Sequence, residues 1–250
     1  MFNQLSLFFN RLIRQSKTER LKLCEKQNFL MAEDLVRVRS QYSGLLKMKS
    51  NGVLSEASVA VFERLNLLLK LRDPEVSLHS IRVARIAGLL AKESGMGDEY
   101  CMSLELAVSL HDIGIIALPA DTPTHTHSIL PGADFEKFKS HCVLGETILS
   151  SGDFLLDMAA RLARSHHELF DGSGYPDGLS GQQIPFEARI VALADYIEGL
   201  LGGSHGNQPL DYESVYARLT QMDARYFDPE IARLVDLLSE RICYICQCSD

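Results

Sequence analysis

Residues 73–95 read DPEVSLHSIRVARIAGLLAKESG, and this stretch decides the fold. Asp73 is a good N-cap and Pro74 a good first helical residue, while Gly95 is typical of a helix end. Between them, His79 and several apolar residues recur at three- and four-residue spacing on related faces. The stretch therefore predicts one helix that carries an imidazole together with its apolar residues.

Helical patterns extend in both directions from this stretch, and no alternating strand pattern of useful length interrupts them. Glycine- and proline-rich segments at about 115–134 and at 171–185 predict loops. Asn51-Gly52 is a turn signal and a plausible domain boundary. The sequence predicts an all-α fold, with an N-terminal helical segment at 1–52 and a helical bundle at 53–250. The predicted helices of the bundle are a region from Leu54 to Arg72, then Pro74 to about Gly95, Glu99–Ile113, Phe135–Leu149, Phe154–Leu169, Phe186–Leu201, and a last one from Pro229 to about Ile242.

The composition excludes several classes of protein. Residues 1–50 contain ten Lys or Arg and four Asp or Glu, so they carry +6 of the net charge of −8 and the other 200 residues carry −14. An acidic body argues against DNA binding, which depends on basic residues that neutralise phosphates. No apolar run approaches the ~20 residues that span a bilayer. The six cysteines do not form a spaced framework, so reduced thiols and a cytoplasmic location are expected.

Imidazole and carboxylate side chains recur in the predicted helices in a way that suggests a metal centre. Glu75 and His79 are four residues apart and point from one face of a helix. Such ligands suit iron(II), manganese or zinc better than calcium. Two metals close together can hold a bridging hydroxide and polarise a phosphoryl group, which is a route to phosphodiester hydrolysis. The imidazoles and carboxylates in this pattern are those of Glu75, His79, His111, Asp112, His141, His166, His167, Glu168 and Asp195.

Several separated motifs resemble those of the HD-GYP domain family. HDIG at 111–114 and HHELFDGSGYPDG at 166–178 resemble its two signature motifs, and the segments at 72–83, 192–195 and 227–230 resemble others in the same order. The resemblance covers about residues 55–245 and implies a bacterial phosphodiesterase that converts cyclic di-GMP to pGpG, in some members onward to GMP.

The same resemblance implies roles for individual residues. It implies that the metal ligands for two or three ions, usually iron or manganese, are Glu75, His79, His111, Asp112, His141, His166, His167 and Asp195. Asp112 would bridge two ions and Glu75 would serve a third. His111 and Asp112 would be the catalytic pair. The substrate-binding residues would be Arg82, Gly174, Tyr175 and Pro176.

The sequence departs from the family pattern at positions that handle substrate. Ile115 replaces the usual Lys after HDIG, and residues 202–209, GGSHGNQP, lack the usual basic residues. Glu198 stands where the family has an Asp. Three hypotheses therefore stay open: a cyclic di-GMP phosphodiesterase, a metal-retaining module that binds a nucleotide or partner with weak turnover, and a hydrolase of another phosphoester. The N-terminal helices could form a homodimer, and a diguanylate cyclase or other signalling protein is a candidate partner.

Overall fold

The computed structural model describes residues 55–123, 132–203, 208–221 and 225–247, all within the compact unit Gly44–Cys248. The predicted N-terminal segment at 1–52 lies outside the described residues. Within the described ranges no strand forms, and one isolated bridge pairs Asp171 with Ser180. The predicted all-α fold is confirmed. The α-helices within the described residues are α1 (Glu56–Arg72), α2 (Pro74–Glu93), α3 (Asp98–Val108), α4 (Gly132–Leu149), α5 (Phe154–Ser165), α6 (Phe186–Leu201), α7 (Tyr212–Gln221), α8 (Pro229–Ala232), α9 (Leu234–Leu237) and α10 (Ser239–Gln247), with 3₁₀ helices at Ile113–Ala117 and Gly181–Gln183.

Helix α2 is the central element, and it begins where the sequence predicted. The Asp73 carboxylate accepts hydrogen bonds from the backbone N–H groups of Glu75 (3.1 Å) and Val76 (3.2 Å), which satisfies donors that a helix start otherwise leaves unpaired. The helix packs against α1, α3 and α6. Several of its apolar residues, among them Ile86 and Leu90, are fully buried. Because α2 is covered on several sides, the polar side chains on it are held in fixed positions in the core.

The predicted helix Glu99–Ile113 is wrong at its C-terminal end, because α3 stops at Val108. From Ser109 onward, backbone N–H groups bond to carbonyls three residues back, which is the tighter 3₁₀ pattern. The Ser109 hydroxyl donates to the Leu106 carbonyl at 2.8 Å, and this side-chain bond competes with helical pairing. His111 and Asp112 therefore lie in a turn between α3 and the 3₁₀ helix Ile113–Ala117.

Other predicted elements differ at their ends. The predicted helix Phe154–Leu169 stops at Ser165, so that His166 is its C-cap. The predicted last helix is broken into α8, α9 and α10, while α7 was not predicted at all. Helix α4 starts at Gly132, three residues earlier than predicted. In contrast, α6 has the predicted bounds.

One stretch, Asp98–Ala117, is long and apolar enough to cross a membrane by length and composition alone, and 72% of its most apolar window is buried inside the protein. It is made of α3, the turn and the 3₁₀ helix, packed against α2, α4 and α5. Its apolar character is therefore accounted for by its place in the core.

Candidate metal centre

The turn that carries His111 and Asp112 is pressed against α4. A Cβ atom on Gly114 would lie 1.9 Å from the His141 carbonyl oxygen and 2.7 Å from the Gly145 nitrogen. Only glycine allows the two backbones to approach this closely. The close approach brings the buried side chains of His111 and Asp112 next to that of His141.

Three histidines of the site are held in one tautomer by their own helices. The Nδ1–H groups of His111 and His141 donate to the carbonyls of Val108 (2.8 Å) and Phe138 (2.6 Å). His166 Nδ1 lies 3.0 Å from the Ala163 carbonyl. When Nδ1 of a neutral imidazole is the donor, Nε2 is the acceptor, as it is in many metal-bound histidines.

These Nε2 atoms converge on Asp112. His111 Nε2 lies 3.3 Å from Asp112 Oδ2, and the Nε2 atoms of His141 and His166 lie 3.4 Å and 3.5 Å from Oδ1. The His141 and His166 Nε2 atoms are 3.3 Å apart. His167 stacks on His166 with ring centroids 4.1 Å apart. Two groups of side chains thus have ligand atoms within 4.8 Å of one another: His79, His111 and Asp112, and His141, Cys142, His166 and His167.

The charge states of His111 and Asp112 favour cation binding. Burial lowers the pKa of His111, so its imidazole is neutral and offers a lone pair. Burial alone would raise the pKa of Asp112, but the surrounding histidines, His111 first, hold it well below its usual range. The buried Asp112 is therefore an anion surrounded by imidazoles.

His79 is held between two carboxylates of α6. Burial alone would lower the pKa of His79, but Glu198 and Asp195 raise it well above its ordinary value. Its Nε2 lies 2.8 Å from Asp195 Oδ1, and its Nδ1 bonds to the fully buried Glu198. Arg82 Nε donates to the other oxygen of Glu198. A carboxylate on the far nitrogen of a histidine orients the ring and raises its basicity towards a metal.

The loop that follows His167 is tied to the bundle by charged side chains. The buried carboxylate of Glu168 accepts the backbone N–H groups of Asp177 (2.7 Å) and Leu179 (3.0 Å). The Arg164 side chain of α5 donates two hydrogen bonds to the Asp177 carboxylate, at 2.6 Å and 2.8 Å. A Cβ on Gly174 would lie 2.3 Å from the Leu169 nitrogen, so the loop folds directly onto the backbone after the two histidines. Tyr175, with a cis peptide bond to Pro176, is held in this way beside His167, with ring centroids 4.7 Å apart.

A cavity of about 400 Å³ opens onto the cluster. His166, His167 and Asp195 reach it from the metal-ligand side, and Tyr175 forms part of its wall. Burial raises the pKa of Tyr175 well above its ordinary value, so its hydroxyl stays protonated. The other described residues that line the cavity are Phe135, Lys139, Leu169, Ser173, Gly174, Ala192, Tyr196 and Phe227.

The structure brings together seven of the eight predicted ligands. Glu75 differs, since it is exposed at the first turn of α2 and belongs to neither group of ligand atoms. Arg82, predicted to bind substrate, is buried against Glu198, a placement that favours a positioning role. Pro176 is not among the described residues that line the cavity, whereas Gly174 and Tyr175 are.

Four functional candidates were missed by the sequence reasoning. Glu198 was noted only as a departure, although it lies three residues after Asp195 and so shares its helix face. Glu168, noted only as a neighbour of the histidines, directly follows His167. Cys142, whose Sγ lies 3.5 Å from His141 Nε2, and Lys139 both lie within two residues of a predicted ligand. Proximity to a ligand on the same element was the signal available for all four.

The donor set fits divalent metal ions. Asp112 Oδ1 is buried without a hydrogen-bonding partner among the described residues, and burying an ionised oxygen in this way is costly unless a cation compensates it. The Nε2 atoms of His111, His141 and His166 face the same point, and each offers a lone pair to a metal when its ring is neutral. Nitrogen and carboxylate ligands together suit iron, manganese and zinc.

Comparison with known proteins places this site in a family context. A family model described as "HD domain" matches residues 63–231. The chain is 31% identical over 234 residues to "Cyclic di-GMP phosphodiesterase" of Thermotoga maritima. The aligned region covers 93% of this chain and 60% of that protein. It is 32% identical over 188 residues to "3'3'-cGAMP-specific phosphodiesterase 2" of Vibrio cholerae, covering 75% of this chain and 35% of that protein.

A solved structure gives the same picture of the fold. Bd1817, described as an HDG"Y"P protein from Bdellovibrio bacteriovorus, superposes with a TM-score of 0.61 at 18% identity, over 84% of this chain and 72% of that chain. The chain thus spans less than two thirds of the length of each of these two curated relatives.

Proposed function

Because this chain belongs to the HD-domain family, we propose that it is a metal-dependent phosphodiesterase that hydrolyses cyclic di-GMP. The observation that carries the proposal is the set of three imidazoles, each fixed by a bond to a backbone carbonyl, whose Nε2 atoms face the buried Asp112. The product would be pGpG, or GMP where both phosphodiester bonds are cleaved.

We assign the ligands of two ions to residues that lie together. His79, His111, Asp112 and Asp195 would hold one ion, and His141, His166 and His167 would hold the other with Asp112 between them. Iron(II) or manganese bound there would polarise the phosphate and activate water for attack on phosphorus. A third ion at Glu75 would require movement of an exposed side chain.

The protein's own residues would position the substrate and the ligands. Glu198 fixes the ring of His79 and is itself fixed by Arg82. Tyr175 closes one side of the cavity and keeps a hydroxyl that can donate a hydrogen bond. Glu168 holds the loop that carries Tyr175 and so sets the width of the cavity.

The test is anaerobic turnover by iron(II)- or manganese-loaded protein, with cyclic di-GMP and 3'3'-cGAMP offered separately and the products resolved by chromatography. We expect linear dinucleotide from the wild type and no product from Asp112→Asn, since the buried carboxylate that lies between the two groups of ligand atoms would lose its charge. Absence of product from both substrates, despite a measured metal content, would contradict the proposal.

A second substrate is favoured by a specific observation. The Vibrio cholerae relative named as specific for 3'3'-cGAMP is 32% identical to this chain over 188 residues, against 31% over 234 residues for the Thermotoga maritima protein. A higher kcat/KM for 3'3'-cGAMP than for cyclic di-GMP would move the assignment to that nucleotide and leave the metal centre as proposed.

The cellular setting belongs to the same proposal. Cys101, Cys142, Cys243 and Cys246 are free thiols, which supports a reducing, cytoplasmic location. A homodimer through the N-terminal helices, which lie outside the described ranges, remains a prediction. A diguanylate cyclase or other signalling protein as partner also remains a prediction.

A further inference from the structure

We infer that Lys139 holds a phosphate of the bound nucleotide, at the rim of the cavity and away from the phosphate that is cleaved. The inference rests on the proposed function for the class of ligand. Among the described residues that line the cavity, Lys139 is the one with a permanently cationic side chain. A cyclic dinucleotide carries two phosphate anions in one ring, so a site that engages one of them at the metal centre must accommodate the other nearby.

Other positions do not supply this cation. Ile115 is fully buried in the 3₁₀ helix that follows the HDIG turn. The sequence from 202 to 209 contains no Lys or Arg. Arg82 is buried and bonded to Glu198, and Arg164 is engaged by Asp177 and Glu146. Among the described residues that line the cavity, Lys139 is therefore the residue that can bind a second phosphate through its charge.

The surroundings of Lys139 hold its ammonium group in place without neutralising it strongly. Its Nζ lies 4.9 Å from the centre of the Phe135 ring and 5.7 Å from that of Tyr175, and the two rings meet edge to face. Its ion-pair partner, Glu136 at 2.7 Å, has a side chain that is 70% exposed. An exposed pair of this kind is weak, so a phosphate can displace Glu136 from the ammonium group.

The position of Lys139 separates it from the reacting centre. Its side chain is 26% exposed, whereas those of His141 and His166 are fully buried. A contact at the rim is made equally by bound substrate and transition state. Loss of such a contact raises KM and leaves kcat nearly unchanged.

The experiment compares Lys139→Met with Lys137→Met in the metal-loaded full chain. Lys137 lies on the same helix, is exposed and pairs only locally with Asp134 at 3.1 Å, so it matches the charge change away from the cavity. We measure kcat and KM for cyclic di-GMP, and the Kd of pGpG by equilibrium dialysis at low and high salt. Metal content and circular dichroism check that each variant is folded and loaded.

We expect Lys139→Met to raise the KM for cyclic di-GMP and the Kd of pGpG by about 10- to 100-fold, because one charge-assisted hydrogen bond is lost. Lys139→Arg should recover part of the affinity. The Kd of pGpG should rise with salt more for the wild type than for Lys139→Met. Lys137→Met should match the wild type.

The outcomes for the two proposals can be told apart. If the wild type binds pGpG no better than Lys139→Met does, the inference is wrong, whether or not turnover is seen. Turnover with no dependence on Lys139 overturns the inference and leaves the proposed function standing. Binding that depends on Lys139, with no turnover of either cyclic dinucleotide, supports the inference and overturns the proposed function.

Discussion

The orientation of His79 depends on Glu198, a buried carboxylate that bonds to its Nδ1 and is held by Arg82. Replacing Glu198 with Gln keeps the shape of the side chain and removes its charge. We expect metal affinity or activity to fall by roughly 10- to 100-fold, the usual effect of losing such an outer partner. Metal affinity is measured by competition with a chromophoric chelator, alongside kcat.

Two further variants give this prediction its controls. Glu198→Asp retains the charge and should recover much of the metal affinity, since the HD-GYP domain family, which the sequence resembles, carries Asp at this position. Glu240→Gln makes the same chemical change at an exposed position of α10 and should have no effect. Unchanged metal affinity in Glu198→Gln would show that the carboxylate does not tune His79.

At the residue scale, the types of ligand were predictable because imidazoles and carboxylates are rarely placed together in helical segments without a reason. The partners of those ligands were harder to predict. Glu198 stands where another acid was expected, and nothing in its spacing shows that its side chain is buried while that of Glu75 is exposed. Burial of one face depends on which helices pack on it, and that information is not local.

At the scale of elements, the loop 171–180 is held by Glu168 through two backbone N–H groups. In Glu168→Gln one oxygen acceptor is replaced by an amide and the charge is lost. Because hydrogen bonds to charged groups contribute about 1.5–3 kcal/mol, we expect the free energy of unfolding to drop by about that amount. The loop amides should also exchange faster with deuterium, and KM should rise as Tyr175 loosens.

Chemical denaturation, hydrogen exchange and steady-state kinetics check these three effects, with Glu240→Gln again as the exposed control. An unchanged free energy of unfolding, or unchanged amide exchange in residues 171–180, would contradict the role assigned to Glu168.

The ends of the elements show what the sequence could not provide. The bounds of α6 were predicted because Pro185 precedes it and Gly202 follows it. The early end of α3 was missed because the bonds that cause it come from the side chains of Ser109 and His111 to backbone carbonyls. Those residues are equally compatible with a helix, so only tertiary packing of the turn against α4, allowed by Gly114, selects the tighter turn.

At the scale of the molecule, the site joins α2, the HDIG turn, α4, the end of α5 and α6. Each contributes one or two ligands from far apart in sequence, so their convergence follows from the family fold rather than from any one motif. The acidic character of the body, −14 over residues 51–250, makes the metal centre and Lys139 the local sources of positive charge for an anionic substrate.

Because ligands from five elements meet at the cluster, metal binding should stabilise the whole bundle. An ion that binds only the folded chain adds about 2.7 kcal/mol at 100 times its Kd. For a domain of this size each kcal/mol shifts Tm by roughly 2–4 °C, so chelation should lower Tm by about 5–10 °C, and manganese should restore it. Calorimetry of the native, chelated and reloaded protein measures the shift. Asp112→Asn should melt at one temperature under all three conditions, and a wild type that loses its metal without any change in Tm would show that the cluster does not couple metal binding to the fold.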